Sequence, residues 1–116
     1  MNNTADNDIW TEFSCTTVDG LTIKGRDYGD RLSPHLPVVC LPGLGRNSKD
    51  FHEIALTMSQ DPDTPRRVLC LDYRGRGRSD YDKNADNYTP LTEANDVLNA
   101  IVAAGLRDVI IFGTSR

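Results

Sequence analysis

With 116 residues, 38% of them hydrophobic and 26% charged, the chain has room for one domain and a modest core. Thirteen Lys and Arg against seventeen Asp and Glu leave a net charge of −4, which argues against nucleic acid or an anionic membrane surface as a partner. No apolar stretch approaches the roughly 20 residues that a bilayer span requires.

Residues 1 to 8, MNNTADND, are polar and acidic, unlike the basic and apolar opening of a signal peptide, and are expected to be disordered. Residues 9 to 116 then form a single domain. FSCTTVDGLTIKGRDYG (13–29) predicts a β-hairpin: Leu21 and Ile23 alternate with Thr22 and Lys24, and Asp19-Gly20 supplies the positive-φ residues of a tight turn. DRLSPHLP (30–37) is a loop.

The pattern then changes. VVCL (38–41), VLCL (68–71) and VIIF (109–112) are continuously apolar, as strands are when both faces of a parallel sheet are covered. Cys40 and Cys70 lie inside two of these runs, where a reduced thiol acts as a small hydrophobe; Cys15 stands apart and no C-x-x-C pair exists. With this cysteine usage, the expected location is cytoplasmic.

Two helices separate the runs. In SKDFHEIALTMSQ, Phe51, Ile54, Ala55 and Met58 recur at helical spacing behind Asn47 or Ser48 as N-cap. In TPLTEANDVLNAIVAAG, Leu91, Ala94, Leu98 and Ile101 make the expected apolar face with Val97 at its border. Thr89 caps this helix, Pro90 occupies its first turn, Glu93 favours its positive end and Gly105 ends it. A hairpin followed by strand, helix, strand, helix and strand is an α/β layout: an N-terminal β-hairpin leading into a mostly parallel sheet with flanking helices.

Ligands of open α/β sheets bind beyond the carboxyl ends of the strands. Three segments occupy those ends here: LPGLGRNS, DYRGRGRSD and GTSR. In the last, Gly113 and Ser115 fit the first positions of G-x-S-x-G, a strained strand-to-helix turn that lifts a serine Oγ above the sheet. The next N–H, that of Arg116, would face a developing oxyanion. In the first segment, Gly43 and Gly45 flank Leu44, whose N–H is the natural second donor. The Arg-Gly stretch 74–78 resembles RNA-binding tracts in composition, but it is a single turn in an acidic chain and reads as structural, with Arg74 paired locally and Ser79 and Asp80 satisfying loop backbone.

Taken in order and at these separations, VVCLPGLGRNSKDF, VLCLDYRGRGRSD and DVIIFGTSR resemble the N-terminal half of an α/β-hydrolase, over roughly residues 10 to 116. The family's oxyanion loop usually reads His-Gly, and Pro42 stands in the His position. Its D-x-R-G-x-G-x-S stretch is matched by Asp72, Arg74, Gly75, Gly77 and Ser79, read here as structural turns, and its elbow by Gly113 and Ser115. The resemblance implies a serine hydrolase acting on a small ester-like substrate through an acyl-enzyme, with no cofactor and no metal. Its triad runs in the order Ser, acid, His. Neither His35, before the first parallel strand, nor His52, expected to be solvated on a helix, suits the base. The chain by itself is therefore expected to be an inactive and poorly soluble fragment of an incomplete α/β-hydrolase fold.

Two other readings compete. VVCLPGLGRNS followed by Asp72 suggests a dinucleotide-binding βαβ unit, although Ser48 replaces its third glycine and Pro42 removes an N–H. The other is a hydrolase-fold protein that binds without catalysis. The sequence leaves the substrate, the oligomeric state and any cap domain undetermined.

Overall fold

The computed structural model describes residues 10–43 and 46–114. Five strands form one mixed sheet: β1 (Trp10–Thr16), β2 (Thr22–Tyr28), β3 (Val38–Leu41), β4 (Val68–Leu71) and β5 (Ile110–Gly113), in the order β1-β2-β4-β3-β5. The β1–β2 and β2–β4 pairings are antiparallel; β3 pairs in parallel with β4 on one side and β5 on the other. Helix α1 (His52–Ser59) follows a 3₁₀ turn at Ser48–Phe51, and helix α2 (Pro90–Ala103) follows a shorter one at Ala85–Asn87. Among the described residues no helix is long and apolar enough to cross a membrane.

The unbroken apolar runs of β3 and β4 have a direct physical reading. Val38, Cys40, Val68 and Cys70 point to one face, where Tyr28, Phe51 and Ala55 cover them. Val39, Leu69 and Leu71 point to the other, against Phe13, Ala100 and Ile101. β5 differs. Its residues are all exposed, because it is the sheet's edge strand and no described element lies beyond it. It also runs one residue later than VIIF, from Ile110 to Gly113.

Local signals account for the helix starts. Asn47 caps the 3₁₀ turn, accepting from Lys49 N at 2.9 Å while Asp50 accepts from Asn47 N at 3.2 Å. Thr89 caps α2 by accepting from Thr92 N at 3.2 Å, and Pro90 opens the helix. The hairpin turn departs from the expected form. It spans Thr17 to Leu21, and only Gly20 has positive φ, at 90°. Asp19 keeps negative φ, and its carboxylate is used instead to accept from Thr17 Oγ1 at 2.6 Å and from Arg74.

That contact belongs to a larger one. The Arg74 side chain, 2% exposed, donates from Nε and NH2 to the two oxygens of Asp96, both at 2.7 Å. Its NH1 donates to Asp19 at 2.9 Å and to Asp82 at 2.8 Å. One guanidinium thus joins the hairpin turn, the loop after β4 and α2. Arg74 was expected to pair locally; two of its three partners are distant in sequence because a buried guanidinium takes whichever carboxylates the fold brings to its planar donors.

This network also decides how α2 is turned. Of the face expected to be buried, Ile101 is buried, but Leu91, Ala94 and Leu98 are exposed, with Leu91 at 74% and Leu98 at 60%. Glu93, Asp96 and Ala100 are buried beside Ile101, since the helix must present Asp96 to Arg74. Similarly, Ile54 of α1 is exposed while Ala55 is buried.

Replacing Arg74 by Met leaves three carboxylates around an apolar side chain and should cost about 3–5 kcal/mol, read as a drop in the urea midpoint. The Arg74 guanidinium, with help from Thr17, holds the Asp19 carboxyl down to about 2 from its ordinary 3.8. Ionised Asp19 therefore adds stability above pH 3.8 that fades as pH falls towards about 2. Across that window the urea midpoint of the wild type should fall more steeply than that of Asp19→Asn.

Candidate active site

The parallel register brings three carboxyl strand ends together. Cys40 lies beside Cys70, and Leu41 lies beside Gly113. The ladder continues one step further, with Thr114 N donating to Leu41 O at 3.2 Å. Residues 42–43 and residue 114 therefore leave the same sheet edge next to each other. Pro42 and Gly43 are buried, and Arg46 N donates to Gly43 O at 3.0 Å. Leu44, Gly45, Ser115 and Arg116 lie outside the described residues.

At Gly113 an added Cβ would meet only the Leu41 carbonyl oxygen, at 3.7 Å, which is ordinary contact. Among the described residues, steric exclusion does not account for that glycine. Gly77 is different. Its φ is +52°, and a Cβ there would collide with the Asp72 carboxylate. Gly75, at φ +74°, packs as closely against the Tyr88 ring.

Asp72 is buried, and its carboxylate accepts from Ser48 N at 2.6 Å, Ser48 Oγ at 3.1 Å and Arg78 N at 3.3 Å. It ties the loop after β4 to the segment that follows residues 42–46. Ser79 works in the opposite direction: its Oγ donates to Asp72 O at 2.7 Å and accepts from Lys24 N at 2.8 Å. Asp80 exchanges backbone hydrogen bonds with Gly75 and Thr22 and accepts from Thr22 N through its side chain at 2.9 Å. The Arg-Gly turn is thereby fastened to the start of β2. These bonds also bear on the dinucleotide reading, because a carboxylate shared among Ser48 and Arg78 donors at 2% exposure is not free for a ribose.

Among the described residues, neither histidine hydrogen-bonds to a residue of this edge. His35 belongs to the loop entering the amino end of β3. His52 was expected to be solvated, yet its Nδ1 lies 2.8 Å from Tyr28 Oη and 3.3 Å from Arg26 NH1. Tyr28 and Arg26 both belong to β2, so His52 docks on β2, which β4 and β3 separate from β5 in the sheet order. Two features had no sequence signal: this cluster, and the buried bidentate pair of Arg67 with Asp27 at 3.0 and 2.8 Å. Only spatial proximity reveals either.

The cysteines are free, with Cys40 and Cys70 buried. Cys40 beside it, together with burial, pushes the Cys70 thiol above its ordinary value, so it stays protonated and unreactive. Among the described residues no cluster of metal-ligating side chains exists. Among the described residues, this edge is where Gly43 and Thr114 follow neighbouring parallel strands.

Comparison with known proteins agrees with this geometry. The chain is 34% identical over 89 residues to the 3-hydroxybutyrate-oligomer hydrolase of Cupriavidus necator, covering 77% of this chain and 29% of that protein. A crystal structure of an alpha/beta hydrolase from Novosphingobium aromaticivorans superposes with a TM-score of 0.82 at 35% identity, over 90% of this chain and 35% of that one. A candidate aryl esterase from Burkholderia cenocepacia follows at a TM-score of 0.76 and 25% identity, over 89% of this chain and 36% of that one. The chain thus spans about a third of the length of each. The alpha/beta hydrolase fold family matches residues 37–116, and the chain belongs to that family.

Proposed function

We propose that this chain carries the nucleophile and oxyanion-hole portion of a serine hydrolase that cleaves small ester-like substrates through an acyl-enzyme. The observation that carries this reading is the register of β3 and β5. Leu41 lies beside Gly113, so the segments leading to Leu44 and Ser115 leave one sheet edge together. Further support comes from the relatives, which include a hydrolase of 3-hydroxybutyrate oligomers and a candidate aryl esterase.

In this mechanism Ser115 Oγ attacks the substrate carbonyl as a histidine takes its proton. The backbone N–H groups of Leu44 and Arg116 stabilise the tetrahedral oxyanion. Collapse breaks the ester bond and the alcohol leaves with that proton. Water then adds to the acyl-Ser115 ester by the same route, releasing the acid and restoring the hydroxyl. In this reading the histidine and its acidic partner are supplied from outside residues 1–116, since His52 is bonded to Tyr28 and Arg26 on β2 and His35 belongs to the loop before β3. Asp72 and Arg74 act earlier, holding the surrounding loops in place.

A fluorophosphonate probe should label the active full-length enzyme at Ser115, and Ser115→Ala should abolish both labelling and turnover of p-nitrophenyl acetate. Short hydroxy-acid esters are the next substrates to assay. Labelling that persists in Ser115→Ala would reject the assignment. The 116-residue chain alone should turn over the same ester no faster than its own Ser115→Ala variant.

A further inference from the structure

We infer that the cleft between the β1–β2 ribbon and the 3₁₀ turn at Ser48–Phe51 is a binding site for a small, multiply charged oxyanion, such as a phosphate ester or a polycarboxylate. The cleft has a volume of about 550 Å³, the size of a metabolite site. Four cationic side chains line it, Lys24, Arg26, Lys49 and Arg78, in a chain whose net charge is −4. Against them stand two carboxylates, Glu12 and Asp72.

Neither carboxylate neutralises the cleft. Asp72 is buried and bonded to Ser48 and the Arg78 backbone. Glu12 is shared between Lys24 Nζ at 3.6 Å and Arg78 NH2 at 3.2 Å. Both of those pairs are solvent-exposed, where an ion pair contributes only about 0.2–1 kcal/mol. Glu12 therefore occupies the position of a counter-ion that a stronger acceptor would displace.

The donors of the wall are under-used. Arg26 stacks its guanidinium 4.2 Å from the centroid of the Trp10 ring, and only its NH1 has hydrogen-bond partners, Tyr28 Oη and His52 Nδ1. Its remaining N–H groups have no acceptor among the described residues. Lys49 forms no ion pair among them. The Arg26 N–H groups and the Lys49 ammonium left without acceptors among the described residues call for a ligand that offers several oxygen acceptors and negative charge. Stacking on Trp10 holds the Arg26 guanidinium in place before the ligand arrives, which lowers the ordering cost of binding. The site does not depend on the hydrolase reading, since nothing in it requires a nucleophile.

Titration with pyrophosphate and with citrate, followed by calorimetry and by the emission of Trp10, the sequence's sole tryptophan, tests the assignment. Saturable binding on one isotherm by both readouts is expected, and the tighter of the two ligands identifies phosphate or carboxylate as the natural head group. Lys49 and Arg78 are exposed, so the double variant Lys49→Gln, Arg78→Gln keeps the fold; it should bind about tenfold more weakly or worse. Glu12→Gln, which removes the internal competitor, should bind more tightly. The proposal fails if neither ligand saturates, if sodium chloride of equal ionic strength gives the same curve, if binding leaves Trp10 emission unmoved, or if the double variant binds like the wild type.

Discussion

One buried guanidinium organises this chain. Arg74 reaches Asp19 in the hairpin turn, Asp82 in the loop after β4 and Asp96 on α2, so three segments separated in sequence share a single cation. Taking an arginine out of water is costly, and the cost is met here by charge-assisted bonds from Nε, NH1 and NH2. The carboxylates respond in turn. Arg74 lies well above its ordinary pKa because Asp96 and then Asp19 bond to it. Asp82 is lowered first by the Asn84 N–H and the Asn87 amide, with Arg74 adding to them. Arg74, Asp19 and Asp82 are therefore ionised throughout the neutral range.

Its second effect is on the orientation of α2. By holding Asp96 inward, it leaves Leu91 and Leu98 on the outer surface, where Leu98 borders a groove with Leu41, Tyr73 and Ile111. β5 is exposed next to the same groove. The open sheet edge and the apolar helix face thus adjoin, while the face covered by α1 is packed around Cys40, Cys70 and Phe51.

Asp72 performs the equivalent task at the candidate active site. Its carboxylate fits against Gly77 and holds Ser48, so the turn after β4 and the segment after the first glycine-bearing loop move as one unit. Ser79 and Asp80 fasten that unit to β2. A loop supported in this way on rigid strands is what preorganised backbone donors require, because their contribution depends on holding position as charge develops.

Much of this was legible in the residues themselves. The unbroken apolarity of VVCL and VLCL announces strands buried on both faces, and Asn47 and Thr89 announce helix starts, because periodicity and capping are properties of neighbouring residues. The order of the three glycine-bearing strand ends was enough to point to the family. The sequence could not say that β4 inserts between β2 and β3, that Arg74 selects Asp19 and Asp96, or that His52 docks on Tyr28. It also could not say that α2 buries its acids and exposes its leucines. Those outcomes depend on which distant groups meet, and a carboxylate reads the same along the chain whether it faces water or a buried guanidinium. Local pattern determined the elements; tertiary contact alone decided which of their faces turned inward.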